Sequence, residues 1–396
     1  MRRFAAVSAL GLCLAAGLAG AGTPFKPASD ADVVERLPGR ANDPALRRVE
    51  SLRRQLAARP DDAALRLEIG RRYFELAMAQ GDPRYVGYAS AAIAPLARSD
   101  AGNPGYWLLH GLIQQYGHDF DGALASLQRA SDLDPKAVDP VAWRAAIHMV
   151  QARYPQALAE CERLVPLADT LFARGCAAYA QAASGQLAGS YAGLTQALAA
   201  APAVEPALAL WLRTRLAEMA IRLQRPGEAE AHFRAALFTG LTDQFLLGAY
   251  ADFLLAQRRP TEVIPLLAEW ERSDILLLRL ALAGKALSHP RASDWAAQLR
   301  ERFAAAGLRG DKLHEQEAAR FALEIETQPA RALALAQDNY SSQKEPRDAE
   351  VLMRAALAAN QPEAARPALD WLRASRHEDP VLQAVAERLA VAGARR

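Results

Sequence analysis

Five prolines set a period in this chain. Pro226, Pro260, Pro290, Pro329 and Pro362 recur at a near-constant interval. Each follows a polar or basic residue and precedes an Ala-rich run: PGEAE, PTEVI, PRASD, PARAL, PEAAR. Self-similarity of about 34 residues predicts a solenoid of helix–turn–helix units, each burying its apolar face only against its neighbours. Such a chain has no catalytic centre by default and offers an extended surface to partners.

A repeat array also explains the length. At 396 residues the chain exceeds the usual limit for one globular core, but stacked units have no such limit. Hydrophobic residues make up 51%, much of it Ala and Leu, and aromatics only 7%. Ala and Leu are strong helix formers. No long run alternates polar with β-branched residues, so the mature chain reads as nearly all α.

The start of the chain reads as an export signal: Met1-Arg2-Arg3 is positive, Phe4 to Leu18 is apolar, and Ala19-Gly20-Ala21 is a small-residue cleavage site. Phe4 to Leu18 is short for a membrane span, with an uncleaved anchor as the alternative. No other segment could span a membrane. The expected location is periplasmic or secreted, in a bacterial style of export. Removing residues 1–21 takes away Arg2, Arg3 and no acid, which leaves 45 basic against 45 acidic residues. That balance argues against nucleic acid as the main ligand, which would need a basic stripe. Two cysteines remain, Cys161 and Cys176. An even count in an exported chain permits a disulfide. Their midpoint falls in VPLADT, read as the turn between antiparallel helices, so the two could sit at one height. Two buried thiols acting as small apolar residues are the other reading.

The clearest unit spans 104–137. It runs from Trp107 through Gly111, Ala123, Leu127 and Ala130 to Pro135. Ala157, Cys161 and Leu164 repeat the ladder one period on. Ala229, Phe233 and Ala236 do so again, followed by Val263, Leu267 and Trp270. Ala332 and Ala336, then Ala365 and Leu369, carry it into the C-terminal units, and a shifted version reads Ala292, Ala296 and Leu299. Positions i, i+4 and i+7 line one face of a second helix, and the recurring Pro fits its first turn. This order and spacing resemble the tetratricopeptide repeat family. The resemblance implies a right-handed α-solenoid of about eight helical hairpins with a C-terminal capping helix. GDPRYVGYASAAIAPL is also similar to a stretch of uncharacterised exported bacterial tetratricopeptide-repeat proteins.

The expected organisation is a signal peptide at 1–21, a lead-in at 22–43, and an N-terminal cap with degenerate repeats at 44–100. The repeat array follows at 101–375 and a capping helix at 376–396. Catalytic motifs are absent. His314-Glu315-Gln316-Glu317-Ala318 begins like a zinc-protease helix, but Ala318 replaces the second His. Glu228 and Glu230 lie on a helical surface. No cofactor or metal is expected, and no enzyme activity. The one set that could support a reaction is His148 with Glu218 or Asp252.

In the family resembled, ligands lie against the first helices on the concave face. Carrying the register across places ten residues there. Arg71, Tyr116, Arg144, His148 and Tyr179 come from the earlier units. Trp211, Glu218, Arg222, Phe245 and Asp252 follow. Arg can clamp a carboxylate and Trp or Tyr can anchor a partner, so the mix suits a protein or peptide. The expected function is an exported scaffold or adaptor for cell-envelope assembly. A glycan or lipid in the same groove is the alternative.

Overall fold

The computed structural model describes Ser29, residues 44–309 and residues 314–394. The expected signal peptide, and the lead-in apart from Ser29, lie outside the described residues. No described residue belongs to a strand, and no described helix is long and apolar enough to cross a membrane.

The chain opens with α1 (Pro44–Ala58), α2 (Ala63–Gln80), α3 (Arg84–Ile93) and the short α4 (Leu96–Ser99). Next come α5 (Pro104–Tyr116), α6 (Phe120–Leu133), α7 (Val138–Val150), α8 (Tyr154–Leu164), α9 (Thr170–Ala183) and α10 (Leu187–Ala200). The middle continues with α11 (Pro206–Arg222), α12 (Pro226–Leu237), α13 (Gln244–Ala256), α14 (Pro260–Leu267), α15 (Asp274–Leu287) and α16 (Ala292–Arg309). The end is built from α17 (Glu315–Arg320), α18 (Pro329–Ser342), α19 (Pro346–Ala358), α20 (Arg366–Ser375) and α21 (Pro380–Ala394). A π-helical turn, Phe321–Ile325, prolongs α17, and a 3-10 turn, Pro362–Ala365, leads into α20. Consecutive helices pair from α2/α3 and α5/α6 onward through α19/α20. This gives nine hairpins among the described residues, where the sequence suggested about eight, with α1 ahead of them and α21 behind. The fold is an all-α, tetratricopeptide-like solenoid.

Two local devices recur along the array. Six first helices start on a side-chain cap: Asp62, Asn103, Asp169, Glu205, Asp243 and Ser273 each accept from a first-turn N–H. Three second helices start on proline. Pro226, Pro260 and Pro329 are the first residues of α12, α14 and α18, where the missing N–H costs nothing. Pro362 opens the 3-10 turn, and Pro290 sits in the turn before α16.

Two positions ahead of these prolines the backbone turns left-handed, at Gln224, Arg258, Ser288, Thr327 and Asn360. His118, Ala152 and Gly185 do the same in earlier turns. The next amide then bonds back into the first helix, as in Arg225 N to Ala220 O and Arg259 N to Leu254 O, both 2.9 Å. This is the Schellman closure, which reverses the chain within a few residues. A non-glycine residue loses about 1 kcal/mol there. Gln224 is exposed at φ 58°, so Gln224→Gly should raise stability by about 0.5–1 kcal/mol. Thermal unfolding checks this, and a lowered midpoint would contradict it.

The ladders form the interior. Ala123, Leu127 and Ala130 are fully buried, as are Ala157, Leu164, Ala229, Phe233, Ala236, Val263 and Leu267. Gly111 shows why a small residue faces them. A Cβ there would lie 2.9 Å from Leu127 Cγ, inside van der Waals contact. In α16 the buried line is Trp295, Leu299 and Phe303, not Ala292, Ala296 and Leu299. Trp295 needs the inward position because its ring fills the space beside Gly284.

Cys161 on α8 and Cys176 on α9 form a disulfide with Cα atoms 5.5 Å apart. It ties one hairpin to the next. For its separation of 15 residues, loop-closure entropy gives about 3 kcal/mol. Reduction, or Cys161→Ser with Cys176→Ser, should therefore cost about 3 kcal/mol in urea denaturation. An unchanged midpoint under reducing conditions would argue against the bridge.

The array also curls back on itself. The α2–α3 turn reaches α13, where the Gln244 side chain donates to Met78 O at 3.1 Å and accepts from Ser273 Oγ at 3.2 Å. The last hairpins dock under the turns of the middle ones. Lys344 N donates to Val150 O at 2.8 Å, and Trp371 Nε1 donates to the Tyr154 hydroxyl at 3.1 Å. His377 Nδ1 lies 3.1 Å from Ala183 O, and Leu187 N donates to a Glu378 carboxylate oxygen at 3.2 Å. Tyr154 and Ala183 accordingly belong to the same apolar cluster as Leu352, Trp371 and Leu382.

Candidate functional site

Curling back changes what the concave face can offer. The first helices α7, α11, α13 and α15 still present a common inner register: Trp143, Trp211, Phe245 and Arg279 recur at whole multiples of the repeat period. The lower part of this face meets α17–α19 and the segment before α21.

Asp252 on α13 shows the result. Its carboxylate takes Arg279 at 2.8 Å, Arg320 at 3.1 Å and Arg347 at 3.1 Å. Burial works to raise its pKa, but the three guanidinium groups outweigh that and hold it far below the usual carboxylate range. Arg279 is 0% exposed and also reaches Glu317 at 3.4 Å. Beside it, Asp348 caps the Glu345 N–H at 2.9 Å and accepts from Asn339 at 2.8 Å. Burial first, and the Asp348 charge second, push Glu345 up to about 7.

Tyr179, Glu218 and Arg222 belong to the same network. Arg215 donates to the Tyr179 hydroxyl at 3.0 Å with its guanidinium 4.9 Å above the ring, and pairs with Glu218 at 2.9 Å. Arg222 donates to Ala182 O at 2.6 Å and to Glu378 O at 2.9 Å. These inward-facing residues are engaged by the chain itself.

Arg144 and His148 correct the expectation. Arg144 bonds Glu160 on α8 at 2.8 and 2.5 Å and also Gln128 on α6. It therefore struts two second helices and points away from the groove. His148, one turn on, shares that face and is 9% exposed. Burial lowers its pKa, against a smaller opposing pull from the Glu160 charge and with a small push from Arg144. A slip of one position at α7 accounts for both: Trp143 is the counterpart of Trp211, and counting whole periods back from Trp211 finds it. Trp143 packs edge-on to Phe74 at 6.2 Å. Tyr116 also meets Phe74 edge-on, at 6.4 Å, in this half-buried N-terminal cluster, and Arg71 is exposed on α2.

Trp211 and Phe245 are brought together in the open. With Leu241, Thr214, Arg215 and Asp243 they line a hollow of about 310 Å³. Phe245 is 47% exposed, and Phe238, just before Leu241 in the chain, is 93% exposed. Trp211 is held from below by Phe172, ring centroids 5.5 Å apart, and by Gly175. The Arg215 Nε–H at this hollow has no hydrogen-bond partner.

The set that could have supported a reaction is committed elsewhere: His148 is buried, Glu218 pairs with Arg215 at 2.9 Å, and Asp252 is held by three arginines. Glu230 is pinned by Arg259 at 2.8 Å and Arg234 at 2.6 Å, and Glu228 accepts from the Tyr191 hydroxyl at 2.6 Å. Among the described residues no three His, Cys, Asp or Glu side chains gather as a metal site would require.

No protein-family model matches the chain, and no curated protein matches it by sequence. Similar solved structures include a chain of the APC/C hetero-tetramer Cut9-Hcn1, with 14% identity and a TM-score of 0.40, over 78% of this chain and 52% of that one. This chain thus spans about half the length of that one. The P58(IPK) TPR domain gives 13% identity and a TM-score of 0.25, over 84% of this chain and 99% of that one. A chain of Naa15/Naa10 bound to HypK-THB gives 14% identity and a TM-score of 0.27, over 89% and 63%. The fold assignment rests on the hairpin packing above.

Proposed function

We propose that the chain is an exported scaffold that captures a protein or peptide partner at the Trp211–Phe245 hollow, in the service of cell-envelope assembly or maintenance. The observation that carries this is the open aromatic mouth itself. Apolar side chains exposed together on a rigid helical array mark interaction sites. About 310 Å³ accommodates one or two anchor side chains, and Arg215 and Asp243 supply polar contacts at the edge. A glycan strand or acyl chain would need a longer channel, and Arg347 and Glu345 interrupt the groove below. The signal-like segment at 1–21 supports export, and so does the Cys161–Cys176 bridge, since such bridges persist in oxidising compartments.

The test is crosslinking capture from the envelope fraction with wild type beside Trp211→Ala, Phe245→Ala. Two central anchors are worth about 2 kcal/mol or more, so the double variant should lose its partner about 30-fold or more with helical content unchanged. Equal capture by both proteins would remove the hollow from the reading.

A further inference from the structure

A second cavity, of about 560 Å³, lies where the last hairpins meet the α7–α8 turn. It shares no lining residue with the Trp211 hollow. Its volume is in the range of small-molecule sites.

One wall is apolar, built from Ala152, Leu352, Ala364, Pro367 and Trp371. The Trp371 N–H is already committed to the Tyr154 hydroxyl, so the indole offers this wall apolar surface. The other wall carries Gln151, Tyr340 and Lys344 with two smaller polar contributions. Tyr340 is only 4% exposed, yet its hydroxyl has no hydrogen-bond partner, and neither has the buried Gln151 Oε1. Leaving such groups unmet is costly and uncommon. Burial raises the Tyr340 pKa, which keeps the phenol protonated as a donor. No lining residue is acidic, and Lys344 is the lining cation. The walls thus hold two donors suited to an anion, one unmet acceptor, and an apolar face.

We propose that this cavity binds a small carboxylic acid with an apolar body and one N–H or O–H beside the carboxylate. Lys344 and the Tyr340 O–H would take the carboxylate, Gln151 Oε1 would accept the neighbouring N–H or O–H, and Trp371, Leu352 and Pro367 would cover the apolar body. Apolar N-acylamino acids and 2-hydroxy acids share this chemistry. Because the cavity spans the seam, its occupant also ties the last hairpins to the α7–α8 turn, and binding stabilises the folded chain.

Calorimetric titration of the full chain tests this with N-acetyl-L-phenylalanine, 3-phenyllactate and N-acetyl-L-phenylalaninamide. The expected result is saturable binding of at least one acid with a Kd of about 1 mM or tighter. The amide, which lacks the carboxylate, should bind at least about tenfold more weakly. Lys344→Met should weaken the acid about tenfold, and Ala364→Leu, which fills the apolar wall, should abolish saturable binding. Lys344→Met alone decides the matter if Ala364→Leu fails to fold. Binding of one acid and not the other supports the site and selects its class. No binding of either acid, equal binding of acid and amide, or binding unmoved by Lys344→Met overturns the proposal.

Discussion

Arg279→Ala is expected to cost about 3–5 kcal/mol, because removing one partner strands the other charge in the interior. Arg279 is wholly buried. Its loss leaves the buried Glu317 without the guanidinium at 3.4 Å and takes away the closest cation on Asp252. Arg320 and Arg347 still hold Asp252, so Glu317 bears most of the damage. The double variant Arg279→Met, Glu317→Leu should therefore recover part of the loss, since apolar replacement of a whole buried pair is often near neutral. Urea denaturation of the three proteins decides it. A single-variant cost under about 1 kcal/mol would mean that the seam between α15 and the last hairpins is open in solution.

Acid should loosen the other seam at His377. The ring is 2% exposed, packs 5.1 Å from Trp371 and donates from Nδ1 to Ala183 O, while Nε2 has no partner. Burial first, and the Arg222 charge second, lower its pKa from 6.5 to about 3. The unfolded chain thus binds a proton between about 6.5 and 3 that the folded chain refuses. Stability from this group is complete above 6.5 and is lost as pH falls towards 3. At about 1.36 kcal/mol per pH unit the loss is about 3 kcal/mol by about pH 4.5. Glu345 acts in the opposite sense. Its raised pKa makes the folded chain the better proton binder between 4.5 and about 7, so acidification favours folding there. The wild-type curve combines both effects, and His377→Gln separates them. That variant should be less acid-sensitive than wild type by about 3 kcal/mol near about pH 4.5. Parallel pH curves for the two proteins would refute the assignment.

What was legible in the sequence was local. Pro226, Pro260 and Pro329 announce second helices because proline has one good place in a helix, and the Ala/large/Ala ladders announce a buried face because i, i+4 and i+7 coincide on it. The left-handed turn residues were not legible, since Gln224, Arg258, Ser288 and Thr327 are not glycine and carry no mark of their conformation. At Arg144 and His148 a slip of one position in register moved two side chains from the groove to the interior. The seams were invisible for another reason. A period encodes how each unit meets the next, and nothing in it tells that Tyr154 meets Trp371 or that Arg222 meets Glu378.

Those seams bear on how the chain is made. His118 meets Gln343, Tyr154 meets Trp371 and Ala183 meets His377, partners separated by 225, 217 and 194 positions. An open array can settle unit by unit as it emerges. Here the turns of the early units keep unmet polar groups and bare apolar surface until the last hairpins arrive. Synthesis order and folding order therefore diverge, and a chain released early would be left with a sticky underside instead of merely a shorter array.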